Sequence, residues 1–95
     1  MTIELPQRVR VVGEVLVEHV DDEAVLLDLD AGAYFGLNTV AAACWQEFAL
    51  HGSVPQARAR LLERFDVEPE RLDRHLSELI EQLAERGLIE VESDG

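Results

Sequence analysis

The spacing of apolar and polar positions divides the chain near Asn38. Before that point the pattern has the period of a strand. Val15-Leu16-Val17-Glu18-His19-Val20 is rich in β-branched residues and partly alternating, the mark of an extended segment. The polar turn Asp21-Asp22-Glu23 follows. Ala24-Val25-Leu26-Leu27-Asp28-Leu29 is a second apolar run, in which Leu27 and Leu29 share a face. Asp30-Ala31-Gly32 reads as a short hairpin connection with Gly32 in the left-handed region. Ala33-Tyr34-Phe35-Gly36-Leu37 is a third short strand. Upstream, Val9, Val11 and Val12 lead into Gly13, which suits a bulge or a tight turn. The pattern predicts an antiparallel meander of three strands.

After Asn38 the period becomes helical. Asn38 is a good N-cap for a helix over Thr39–Leu50, with Val40, Ala43, Cys44 and Phe48 on one face and Trp45 beside it. His51-Gly52 ends it. Ser53-Val54-Pro55-Gln56 is a capping-box signature with proline early in the first turn, where its missing N–H costs little. That second helix runs to about Phe65, with Val54, Ala57, Leu61 and Phe65 inward. Pro69 starts a third, whose Leu72, Leu76, Leu79, Ile80 and Leu83 form an apolar stripe. Gly87 is its C′ residue and Leu88 the hydrophobic follower. Leu88-Ile89-Glu90-Val91 has the composition of a short closing strand.

The predicted order is β-β-β-α-α-α. A three-stranded antiparallel sheet precedes three helices in one α+β domain, and the last two helices with the sheet give a winged helix-turn-helix-like form. A length of 95 residues suits one domain with one modest core. Residues 1–95 are read as that single domain, with frayed ends at about 1–6 and 92–95. No apolar run reaches the ~20 residues of a membrane span, and the N-terminus has no signal-peptide pattern, so a cytoplasmic location is expected.

Charge narrows the function. Eight Arg, no Lys and 20 acidic residues leave a net charge of −12. A phosphate-backbone binder needs a basic face, and so does a protein that docks on anionic lipid. Neither nucleic acid nor a membrane is an expected partner, whereas a basic partner is permitted. In the third helix Arg71, Arg74 and Arg86 are outnumbered by Glu70, Asp73, Glu78, Glu81 and Glu85, which opposes a DNA-recognition role. The three histidines, His19, His51 and His75, have no second His or Cys at ligand spacing, so no metal is expected. The single Cys44 lies on an apolar helix face in an acidic chain, which suits a buried structural thiol rather than a nucleophile. No nucleophile elbow, phosphate loop or dinucleotide fingerprint is present. No catalytic residue can be nominated, and neither enzyme activity nor a cofactor is expected.

The strand Ala33–Leu37 remains. Tyr34 and Phe35 point to opposite faces of it, so one can join the core while the other stands outside. If this strand is an edge, its unpaired N–H and C=O groups are a template for an added strand. Gly36 would let a second backbone approach closely. The other reading makes both aromatics plain core.

The run from Val25 through Asp28-Leu29-Asp30-Ala31-Gly32-Ala33-Tyr34-Phe35-Gly36-Leu37-Asn38 resembles the family of the pyrroloquinoline quinone biosynthesis protein D. Ala42 and Trp45, and the ending from Leu79 through Leu83 to Gly87-Leu88-Ile89, extend the likeness over roughly residues 8 to 91. The resemblance implies a PqqD-like recognition element for ribosomally made, post-translationally modified peptides (a RiPP recognition element). As a stand-alone domain it resembles the discrete recognition proteins of lasso-peptide biosynthesis clusters. By that likeness the partner is a precursor leader peptide with a Tyr-x-x-Pro motif. A separate transglutaminase-like leader peptidase and an ATP-dependent macrolactam synthetase would carry the chemistry.

The resemblance also implies where the leader lies: as a fourth antiparallel strand on Ala33, Tyr34, Phe35, Gly36 and Leu37, in the groove facing the third helix. Leu72, His75, Leu76 and Leu79 would wall the pocket for its apolar anchors. Asp73 and Glu78 would meet basic leader residues. Arg58, Arg60 and Arg64 on the second helix are either a solvated face or a docking face for the peptidase. The competing classes are a winged-helix transcriptional regulator and a small interaction subunit of a larger enzyme.

Overall fold

Among the described residues the chain forms five strands and three helices. The computed structural model describes residues 5–92. In chain order the elements are β1 (Arg8–Val11), β2 (Val15–Val20), β3 (Glu23–Asp28), β4 (Ala33–Leu37), α1 (Thr39–Leu50), α2 (Val54–Arg64), α3 (Pro69–Glu85) and β5 (Ile89–Glu92). β2, β3 and β4 form the expected antiparallel meander, in that order across the sheet. Gly32 takes the left-handed conformation that the β3–β4 turn requires, with φ 67°.

One expectation about the strands is corrected. Val9 and Val11 do more than lead into a turn. They lie in β1, which pairs antiparallel with β5 from Arg8↔Glu92 to Val11↔Ile89 as a second, two-stranded sheet. Gly13 (φ 77°) turns the chain between β1 and β2. At the two ends of the described residues, Leu5 packs against the core and Glu92 closes β5. Residues 1–4 and 93–95, the rest of the expected frayed ends, lie outside the described residues.

The helix boundaries follow from their caps. The Ala41 N–H donates to the Asn38 side chain at 2.9 Å, and the Gln56 N–H donates to the Ser53 hydroxyl at 3.3 Å. α3 begins on Pro69 without a side-chain cap. It ends in a Schellman motif: the Gly87 N–H donates to the Ala84 carbonyl (3.0 Å) and the Leu88 N–H to the Leu83 carbonyl (2.9 Å). This hands the chain from α3 into β5 with Leu83 and Leu88 both buried.

One core joins the layers. Leu26 and Leu37 enter it from the sheet, Phe48 from α1, Leu61 from α2, Leu72 and Leu76 from α3, and Val9 and Ile89 from the small sheet. α1 buries Ala42, Ala43, Cys44, Trp45 and Phe48. It is sandwiched, which is why Trp45 is inside rather than beside the buried face.

The α1–α2 link is tight. Gly52 has φ 68°, and a Cβ there would lie 2.7 Å from the Val9 carbonyl oxygen. The same loop ties β1 down, because the Val9 N–H donates to the Gly52 carbonyl at 2.9 Å. Gly52→Ala is expected to cost about 2–3 kcal/mol, since it combines backbone strain with a clash that no side chain can relieve. A denaturant titration with an unchanged slope and a lower midpoint checks this.

Candidate functional site

Among the described residues β4 has one neighbour, β3, and its other edge has no strand paired to it. The register decides which side chains face which way. Leu26↔Phe35 and Ala24↔Leu37 lie on the inner face with the buried Ala24, Leu26 and Leu37. Leu27↔Tyr34 and Val25↔Gly36 lie on the outer face. Phe35 is therefore the aromatic that packs against the core, and Tyr34 stands 71% exposed. A Cβ at Gly36 would meet nothing within 4 Å, so the backbone at the edge is open.

Along this edge a cleft of about 180 Å³ opens between β4 and α3. Phe35, Gly36, Leu37, Leu72, His75, Leu76, Glu78 and Leu79 line it, which places eight of the eleven expected residues together. Ala33 and Tyr34 border a second cavity at the start of β4. The eleventh, Asp73, is elsewhere engaged. Arg58 of α2 donates from Nε to its Oδ1 at 2.5 Å and from a terminal nitrogen to its Oδ2 at 3.3 Å. Asp73 therefore joins α2 to α3 and does not line the cleft. The same pairing removes Arg58 from the second-helix patch, and Arg60 lies 3.3 Å from the Glu47 carboxylate of α1.

The alternation of Leu72, His75, Leu76 and Leu79 explains how one helix serves two purposes. Leu72 and Leu76 are buried and floor the cleft. Leu79 is half-buried on its flank, and His75 and Glu78 are exposed at its rim. The result is an apolar slot with a polar lip, beside free backbone groups. It suits an extended peptide with apolar anchors.

The sequence reading missed the wall that α1 supplies. Asn38, Val40, Ala41 and Cys44 also line the cleft. The signal was available: α1 starts one residue after β4 ends, so its first turn prolongs the groove. Cys44 is buried on α1, 1% exposed. Burial, and secondarily the Glu47 carboxylate, push its thiol well above the usual range. The unfolded chain ionises near the ordinary thiol value of ~8.5, while the native state keeps its proton. Above that pH the unfolded state binds fewer protons, so stability falls as pH rises, by about 1.4 kcal/mol per unit. Denaturant midpoints between pH 8 and 10.5 are expected to show this slope, and Cys44→Ala is expected to flatten it.

The outer face of the sheet is also unusual. Leu16, Leu27 and Tyr34 form one cross-strand row, with Leu16 56% exposed and Leu29 46% exposed nearby. From Gly13 to Asn38 the chain carries seven acidic residues and neither Arg nor Lys. Arg71 and Arg74 share a surface recess with Asp66 and Glu68, so the start of α3 is mixed in charge. No helix among the described residues is long and apolar enough to cross a membrane.

Comparison with known proteins gives a family and two similar structures. The profile of the family described as "Coenzyme PQQ synthesis protein D (PqqD)" matches residues 23–89. No curated protein matches significantly. Two solved structures are similar. One is TbiB1 in complex with the TbiA(beta) leader peptide, at 28% identity and a TM-score of 0.78, covering 90% of this chain and 99% of that one. The other is a lasso peptide synthetase B1 complexed with the leader peptide, at 29% identity and a TM-score of 0.74, covering 87% of this chain and 98% of that one.

Proposed function

This chain belongs to the PqqD family, and on that footing we propose that it is a recognition element for the leader peptide of a ribosomally made precursor, of the lasso-peptide class. The leader adds to β4 as an antiparallel fourth strand, and its apolar anchors enter the cleft between β4 and α3. The observation that carries this reading is the coincidence of a strand edge left unpaired among the described residues with a largely apolar-lined slot along three of its five residues, Phe35 to Leu37. That both similar structures hold a leader peptide supports it. Ala33 to Leu37 supply the backbone ladder. Phe35, Leu72, Leu76 and Leu79 supply the pocket, and His75 and Glu78 its rim.

The energetics suit transient capture. A free leader is disordered and gives up entropy on binding, so affinity comes from the ladder and a few anchors. Binding here serves chemistry done elsewhere: the domain holds the leader's scissile region at high effective concentration for a separate transglutaminase-like leader peptidase, with a macrolactam synthetase acting afterwards. Delivery needs a surface that stays free while the cleft is filled. The exposed row of Leu16, Leu27 and Tyr34 meets that need, since it lies on the opposite face of the sheet from the cleft.

The test is a fluorescence anisotropy titration with a labelled synthetic leader of the Tyr-x-x-Pro type, taken from the precursor gene adjacent to this one. Saturable binding that is lost when the leader Tyr becomes Ala is the expected result. No binding at tens of micromolar protein overturns the reading.

A further inference from the structure

Four of the eight arginines are in ion pairs, with Glu92, Glu90, Asp73 and Glu47. Arg86 is not. Among the described residues no carboxylate lies within 4.0 Å of it, in a chain of net charge −12. Its guanidinium sits instead over the Phe35 ring, 5.0 Å from the centroid. It is the C-cap residue of α3, where the helix's terminal carbonyls favour a cation.

Phe35 borders two cavities. On one side is the cleft. On the other is a cavity of about 150 Å³ at the start of β4, walled by Ala31, Ala33, Leu88 and Arg86. Asp28 also borders it, but its Oδ1 already accepts the N–H groups of Asp30 (3.1 Å) and Ala31 (3.2 Å) in the turn. The inward positions of β4 are Ala33, Phe35 and Leu37, two residues apart. A strand paired to β4 repeats that period, about 6.6–6.8 Å between side chains on one face. Successive inward side chains of the added strand therefore fall into the cleft and then into the second cavity. Because an antiparallel strand runs against β4, the residue in the second cavity lies C-terminal to the one in the cleft.

We propose that this cavity is a second subsite of the peptide groove, in which Arg86 receives a carboxylate side chain of the leader two residues C-terminal to its cleft anchor. The inference rests on the strand-addition reading above. Ala31, Ala33 and Leu88 accept an apolar stem and Arg86 the charged head, which describes glutamate. The acidic sheet gives this weight. From Gly13 to Asn38 the chain has neither Arg nor Lys, and Arg86 is the one arginine bordering either cavity. Arg86 therefore marks the register and direction of the bound strand as well as adding a contact.

The experiment is a scan of the labelled leader. Single Glu and single Lys are placed at each of six positions C-terminal to the anchor, and each peptide is titrated against the native protein, Arg86→Gln and Arg86→Glu. Arg86 is exposed, and thermal melts establish that the variants stay folded. The expected result is one position where the native protein prefers Glu over Lys by about 5–10-fold. Arg86→Gln loses the preference, and Arg86→Glu reverses it. The reversal separates the charge from the ring stack. If the preference at every position is the same in all three proteins, the subsite is overturned while leader binding stands. If no peptide binds the native protein, the strand-addition reading fails with it.

Discussion

Leu79→Arg is expected to weaken leader binding by at least about 100-fold and leave the fold intact. Leu79 is half-buried on the flank of the cleft, facing the slot between β4 and α3. Burial that is only partial in the free protein means little native packing is lost on substitution. In the proposed complex the position would become a covered contact in the groove, and central, desolvated positions dominate interface energetics. A guanidinium there must be stripped of water or must hold the anchor out. A 100-fold loss corresponds to about 2.7 kcal/mol. Anisotropy titration reads it, and Leu50→Arg is the control. Leu50 is equally apolar and 73% exposed at the end of α1, outside the cleft. Equal effects of the two substitutions would show that added charge, not the cleft, controls binding.

The second large effect concerns folding. A chain cut after Gly87 is expected to lose its cooperative unfolding transition. The cut removes Leu88 and Ile89, each 2% exposed and part of the core. Burial of such side chains stabilises by about 1.5–3 kcal/mol each. It also strips β1 of its partner and leaves Val9 uncovered. The combined loss is comparable to the whole stability of a small domain, about 5–15 kcal/mol. Circular dichroism on heating should show a broad, weak transition. A sharp one near the native midpoint would mean that the meander and helices stand alone.

These two cases also show what could be read in advance. The meander, the three helices and their caps were legible because their signals are local: Asn38, Ser53 and Gly87 each act on backbone within a few residues. The candidate groove was legible because Tyr34 and Phe35 alternate on a strand followed by an amphipathic α3. The β1–β5 sheet was not, because its partners are some 80 residues apart and each strand is four residues long. The role of Asp73 was hidden for a related reason. Its position in α3 suits the groove as well as the α2 side, and only the packing of α2 brings Arg58 to it. Which aromatic faced inward depended on the register with β3, and Leu26 opposite Phe35 decided it.

The β1–β5 pairing has a consequence beyond stability. The first and last strands lie side by side, so the two ends of the domain leave it about 5 Å apart, the spacing of neighbouring strands. Such a domain is a cassette. It can be spliced into a surface loop of another protein, or have its own ends joined and a new opening cut elsewhere, without stretching either host or guest. The cleft between β4 and α3 would travel with it unchanged.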